Sequence, residues 1–157
     1  MSRQHDLEEL RRKSEPVGEY LASSAASAPA FAQGAEGYRL DPAAVEGLRR
    51  HAGRALILVF SAEWCPDCQR HGPVLGLISE ATGLEVRVFG HLMRDPKRPR
   101  GYWRIPPSPE EVDEFGVRRI PTIVVLEGVG GVMGEIVESP PAGKSLEAAL
   151  LDILSGA

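Results

Sequence analysis

The run Ala55-Leu56-Ile57-Leu58-Val59-Phe60 is apolar at every position, and after only three intervening residues comes Trp64-Cys65-Pro66-Asp67-Cys68. A strand without polar alternation has to be covered on both faces, so this chain needs a sheet with helices above and below it. Proline and aspartate directly after Cys65 read as the opening of a helix: proline suits the first helical position and a carboxylate suits the positive end of the helix dipole. The helical pattern runs to about Ala81, with Val74, Leu75, Leu77 and Ile78 inward and Pro73 inside it as a kink. Leu84 to Phe89 reads as a second strand. Strand, helix, strand at this spacing predicts a parallel, right-handed unit.

The flanking segments extend that unit. Leu7 and Leu10 lie at helical spacing within the charged residues 3–13, and residues 21–35, rich in Ala, Ser and Gly, fit either a helix or a loose connector. Asp41-Pro42 opens a helix that stops at Gly53. Ser108-Pro109-Glu110-Glu111 has the form of a capping box, starting a short helix that ends near Gly116. Ile120 to Leu126 and Val132 to Val137 read as strands joined by a turn at Gly128, Gly130 and Gly131, and Ser145 caps a final helix. The expected class is α/β: a mixed central sheet of four to five strands flanked by helices on both faces. Residues 1–40 form an N-terminal helical or irregular extension, ahead of a single domain at 41–157.

Composition narrows the chemistry. With 157 residues, 43% hydrophobic and 25% charged, the chain has an ordinary globular balance. A net charge of -4 gives no field for nucleic acid or anionic membrane, and no apolar run approaches the roughly 20 residues that span a bilayer. The first residues lack the apolar stretch of a secretory signal, so a cytoplasmic location is expected. In a reducing compartment a lone pair of cysteines points to catalysis or metal binding rather than to a structural staple. A thiol at a helix N-terminus meets unpaired N–H groups and the positive dipole end. Both favour the thiolate, the species that attacks disulfides.

Several segments together carry a family resemblance. Phe60 to Cys68 resembles the active-site segment of thioredoxins. Pro73, five residues past the second cysteine, matches that family's helix-kinking proline, and Phe115-Gly116-Val117-Arg118-Arg119-Ile120-Pro121-Thr122 resembles the segment carrying its cis-proline. The glycine-rich hairpin and last helix follow in family order, so the resemblance covers roughly residues 41–154. It implies a thioredoxin fold and a thiol–disulfide oxidoreductase of the protein-disulfide reductase kind, without a bound cofactor, acting in cell redox homeostasis. Cys65 would be the exposed nucleophile of lower pKa, and Cys68 would resolve the mixed disulfide by intramolecular attack. Trp64 would form a flat apolar shelf beside the sulfurs, and Pro66 and Asp67 complete the site's immediate environment. Pro121 would be cis, aiming the Ile120 backbone at an extended substrate. The implied partners are a disulfide-containing protein or low-molecular-weight thiol substrate and a thioredoxin reductase-type electron donor, with neither nucleic acid nor membrane.

Three departures qualify the resemblance. The intervening pair is Pro66-Asp67 rather than Gly-Pro, and Asp67 supports the helix while opposing a nearby thiolate. Val59 stands where thioredoxins carry a buried aspartate that serves proton transfer to the second cysteine. Proton acceptance from Cys68 would then fall to water, Glu63 or Asp67, and resolution is expected to speed up as pH rises. The segment between Cys68 and Pro121 is longer than in minimal thioredoxins by about a dozen residues. In it Arg94, Lys97, Arg98, Arg100 and Arg104 interleave with Tyr102 and Trp103. Arg98, Arg100 and Trp103 are candidates for a specificity loop facing an acidic partner or anionic thiol substrate; the alternative is a solvated loop with Trp103 tucked onto the body. Two other functional classes stand beside the oxidoreductase. One is a non-catalytic interaction module on the same fold. The other is a metal or iron–sulfur protein using Cys65, Cys68 and His71, although four protein ligands are usual in a structural zinc site and no further cysteine exists.

Overall fold

The computed structural model describes residues 4–94, 97, 103 and 108–156. Among these the chain runs α1 (Leu7–Lys13), β1 (Glu15–Pro16), α2 (Val17–Ser27), α3 (Ala30–Gln33), α4 (Pro42–Arg49), β2 (Ala55–Phe60), α5 (Pro66–Thr82), β3 (Glu85–Phe89), α6 (Glu111–Glu114), β4 (Thr122–Glu127), β5 (Val132–Val137) and α7 (Leu146–Leu154). The strands form one five-stranded sheet in the order β1-β3-β2-β4-β5. β2 and β3 are parallel, as the strand–helix–strand spacing requires, and every other neighbouring pair is antiparallel.

β2 holds the middle of the sheet because all six of its side chains are buried. Each large apolar side chain removed from water is worth about 1.5–3 kcal/mol, which an edge position would forfeit on one face. Alternation along the strand divides those side chains between two layers. Phe60 stacks on Phe89 at 5.3 Å and meets Phe115, which follows α6, at 5.7 Å. Val59 and Ser61, of opposite parity, turn to the layer built around α5, which α2, α3, α4 and α7 all contact.

α5 starts and stops where its sequence dictates. Cys65 is the N-cap, Pro66 takes the first helical position, and Gly83 ends the helix at φ +80°. Pro73 sits inside the helix and cannot donate to the Gln69 carbonyl. Gly34 lies against that carbonyl so closely that a Cβ there would come within 2.4 Å of it. The long helix therefore keeps its proline where α3 packs.

The N-terminal segment crosses the sheet. His5 N–H donates to Gly130 O at 2.8 Å at the β4–β5 turn, and its ring stacks on Phe115 at 4.2 Å. α1 is closed by Arg87 of β3, whose guanidinium donates to the carbonyls of Arg11 (3.0 Å) and Ser14 (2.8 Å), satisfying groups a helix end leaves open. Lys13 reaches Glu111 at 2.6 Å, pairing a carboxylate that is only 3% exposed. β1 then pairs with β3.

Two further expectations change, besides the helix opened by Asp41-Pro42, which ends at Arg49 rather than at Gly53. Ser108 does not cap a helix: α6 begins at Glu111 without a side-chain cap, and the Ser108 hydroxyl instead accepts from Met93 N–H at 2.8 Å. It secures the far end of the long segment to the start of that segment. The other change is β1, which no periodicity announces because it is two residues long. Among the described residues no helix is long and apolar enough to cross a membrane.

Candidate active site

The turn between β2 and α5 sets the site. Cys65 N–H donates to Ala62 O at 3.3 Å, Gln69 N–H to Cys65 O at 3.0 Å, and the Gln69 side-chain amide to Glu63 O at 2.7 Å. These bonds hold Cys65 at the N-cap with its sulfur turned over the helix end, where it accepts the Cys68 N–H at 3.3 Å. On its other side the Cys65 thiol faces the Ile120 carbonyl at 3.6 Å. Ile120 and Pro121 immediately precede β4, and the Ile120–Pro121 peptide bond is cis. Glu138, just past β5 and left-handed at φ +66°, donates its N–H to Pro121 O at 2.7 Å and fixes that wall. Cys65, Cys68, Ile120 and Pro121 are thus brought together from segments far apart in the chain.

The two thiols are free and differ sharply. Cys65 is pulled down from 9.0 to about 7, first by hydrogen bonding with the Cys68 side chain and then by the Cys68 backbone N–H, with burial opposing. Cys68 is pushed far up, chiefly by burial and then by the same pairing seen from the other sulfur. Cys65 was expected to be exposed, and that expectation is corrected: it is 6% exposed, with the Ile120 carbonyl beside its sulfur, and is merely the outer member of a pair whose inner member is at 0%. The rate of Cys65 alkylation by iodoacetamide should therefore rise to half its plateau at pH about 7. A midpoint at the ordinary thiol value, near pH 8.5, would contradict the arrangement.

Asp67 does not oppose the thiolate unaided. It pairs with Arg70 one turn on, and the Arg70 charge helps to lower Cys65. Glu63 lies 2.5 Å from His91 Nδ1, so both carboxylates expected to compete for the Cys68 proton are engaged elsewhere. His71 contacts Ser139 at 3.2 Å, and among the described residues no cluster of three or more His, Cys, Asp or Glu could hold a metal ion.

Trp64 is 48% exposed, and its indole N–H donates to Leu92 O at 3.0 Å. Trp103 is buried to 5% and stacks on Trp64 with ring centroids 6.2 Å apart and planes at 20°. One aromatic of the long segment therefore backs the indole beside the cysteines. Arg98 and Arg100 lie outside the described residues.

Sequence reasoning missed the groups beneath Cys68. Ser61 follows β2 on the parity that faces α5, a signal that could have been read. Tyr20, whose hydroxyl lies 2.9 Å from Ser61 Oγ, comes from α2 and had no such signal.

Comparison with known proteins agrees with this geometry. A family model described as thioredoxin matches residues 15–151. A thioredoxin of Alicyclobacillus acidocaldarius subsp. acidocaldarius is 28% identical over 101 residues, covering 64% of this chain and 83% of its own. A Pseudomonas aeruginosa protein of unknown function superposes with a TM-score of 0.62 at 24% identity, over 97% of this chain and 96% of its own. An HIV epitope-scaffold superposes at 0.65, also with 24% identity, over 98% and 99%. These two structures extend the likeness in fold to the N-terminal segment as well.

Proposed function

Because the chain belongs to the thioredoxin family, we propose that it is a thiol–disulfide oxidoreductase that reduces disulfides through Cys65 and Cys68. The Cys65 thiolate attacks one sulfur of a substrate disulfide; the substrate S–S bond breaks, and one substrate thiolate leaves. The Cys68 thiolate then attacks Cys65 Sγ, expelling the second substrate thiolate and leaving a Cys65–Cys68 disulfide. The electron pair passed to the substrate is restored by a thioredoxin reductase-type donor. No resident cofactor takes part. The substrate is a protein or low-molecular-weight disulfide, and the setting is cytoplasmic.

The observation that carries this reading is the polarity of the pair. Cys65 caps α5, accepts the Cys68 N–H at 3.3 Å and is half-ionised at about pH 7, while Cys68 lies buried behind it. Such a pair has an attacking sulfur and a resolving sulfur built in. The Ile120 backbone, Pro121 and the Trp64–Trp103 stack form the wall against which an extended substrate segment would lie, its main chain pairing as an added strand. The thioredoxin-like domain is residues 41–157, with residues 1–40 as an N-terminal extension that adds β1 to its sheet.

The test is the reduction potential of the Cys65–Cys68 couple, measured against glutathione, together with turnover in an insulin-type assay driven by thioredoxin reductase. A potential near about -270 mV with turnover is expected for a reductant. A potential near about -120 mV would instead mark an oxidant, and absence of turnover with any thiol donor would defeat the reading.

A further inference from the structure

Beneath Cys68 lies a line of hydroxyls that the resemblance does not account for. The Tyr20 phenol is 2.9 Å from Ser61 Oγ, and both residues are buried, at 1% and 2% exposure. Ser61 is held from both sides of its backbone: its N–H donates to Phe89 O at 3.0 Å and its carbonyl accepts from Leu92 N–H at 3.3 Å. Its side chain shares a strand parity with Val59 and faces the α5 layer. There the Ser61 hydroxyl and the Ala62 backbone both favour the ionised form of Cys68, against the burial that disfavours it. Tyr20 is fixed by the edge of Phe31 at 5.6 Å, by His91 at 5.6 Å, and by Gly90, whose lack of a side chain makes room for the phenol ring.

The direction of the chain follows from what each group can give. Burial pushes the Tyr20 phenol up, so it keeps its proton at any ordinary pH and has it to donate. Ser61 has one proton. If it accepts from Tyr20, it has that proton free for the sulfur. We propose that Tyr20 and Ser61 form a two-hydroxyl donor chain that stabilises the Cys68 thiolate during resolution of the mixed disulfide. Ser61 acts on Cys68 from the strand side of the α5 layer and Tyr20 acts through Ser61, so both are positioning residues. In the step itself the Cys68 proton passes to water, the thiolate attacks Cys65 Sγ, the bond from Cys65 to the substrate breaks, and the substrate leaves as a thiolate. Both hydroxyls keep their protons.

This inference rests on the oxidoreductase reading, but its test need not. The charged groups around the pair are Cys65, Asp67 and Arg70 at the start of α5, Glu63 and His91 beside Tyr20, and Glu138 across from Cys65. Cys65→Ser removes the strongest of them, and Cys68 can then be titrated alone by the Cβ chemical shift of carbon-labelled cysteine. Adding Tyr20→Phe keeps the ring on Gly90 and removes only the hydroxyl. The Cys68 thiolate population should fall about five-fold at any pH below its midpoint, and Ser61→Ala should lower it about ten-fold or more. Ser61→Thr should restore it. In the intact dithiol protein, single-turnover resolution should slow by the same factors, while Cys65 alkylation keeps its pH midpoint. A Cys68 titration unmoved by Tyr20→Phe and by Ser61→Ala would overturn the inference. A titration that moves as expected in a protein that reduces no disulfide would overturn the oxidoreductase reading and leave the donor chain standing.

Discussion

Replacing Cys65 with serine should take disulfide reduction to background, a loss of at least about three orders of magnitude, without loosening the fold. Serine can keep the N-cap: its oxygen accepts the Cys68 N–H as the sulfur does, and serine is a preferred cap. What it cannot supply is an ionised nucleophile at neutral pH, since its hydroxyl is not brought near ionisation by the hydrogen bonds that hold the Cys65 thiol at about 7. Cys68→Ser should fail differently. Cys65 would still attack, but the resolving sulfur is gone, so a mixed disulfide with substrate should accumulate and be visible by mass spectrometry of the intact protein. Equal activity of Cys65→Ser and the parent would remove Cys65 from the reaction. Accumulation of the adduct in Cys65→Ser, on Cys68, and not in Cys68→Ser would reverse the assigned roles.

Gly90→Ala should be a costly single methyl. A Cβ at Gly90 would stand 2.2 Å from Tyr20 Cε1 and 2.6 Å from Cδ1. The obstacle is a buried ring, not the tip of a mobile side chain, and the ring is wedged between Phe31 and His91. Overpacking of this kind costs about 3 kcal/mol, and a domain of this size should lose roughly 6–12 °C in thermal midpoint. Pairing the change with Tyr20→Ala provides the control. Each substitution alone should destabilise, but together they should cost less than their sum, because the new methyl fills part of the space the ring vacates. Strict additivity in thermal or denaturant unfolding would mean that the ring and Gly90 do not oppose one another.

Much of this architecture was legible in the chain because local signals and burial agree. The Ala55–Phe60 run, the Asp41-Pro42 and Cys65-Pro66 helix starts and the Ser145 cap each have a cause within a few residues, and each stands where the sequence puts it. The site was legible in the same degree: Cys65, Cys68, Ile120 and Pro121 sit in motifs, and the fold joins them. What could not be read are pairings between distant residues that leave no periodic trace. Ser108 has the look of a cap but is taken by Met93, fifteen positions earlier. Tyr20 reads as one aromatic among small residues, and only the close approach of α2 to Ser61 and Gly90 gives it a role. The separation of the two thiols' affinities for a proton depends likewise on burial, which a C-x-x-C spacing does not encode.

β1 has a consequence out of proportion to its length. Without it, β3 would be the outermost strand, presenting a row of unpaired N–H and C=O groups along an apolar segment, a template for another chain to join. Glu15 and Pro16 occupy that row opposite Val88 and Arg87, and the second of them has no N–H to offer a further strand. The chain then turns at once into α2. Two residues and one missing proton thus guard that side of the sheet against association with its own copies, leaving β5, six residues long, as the longer of its two edge strands among the described residues.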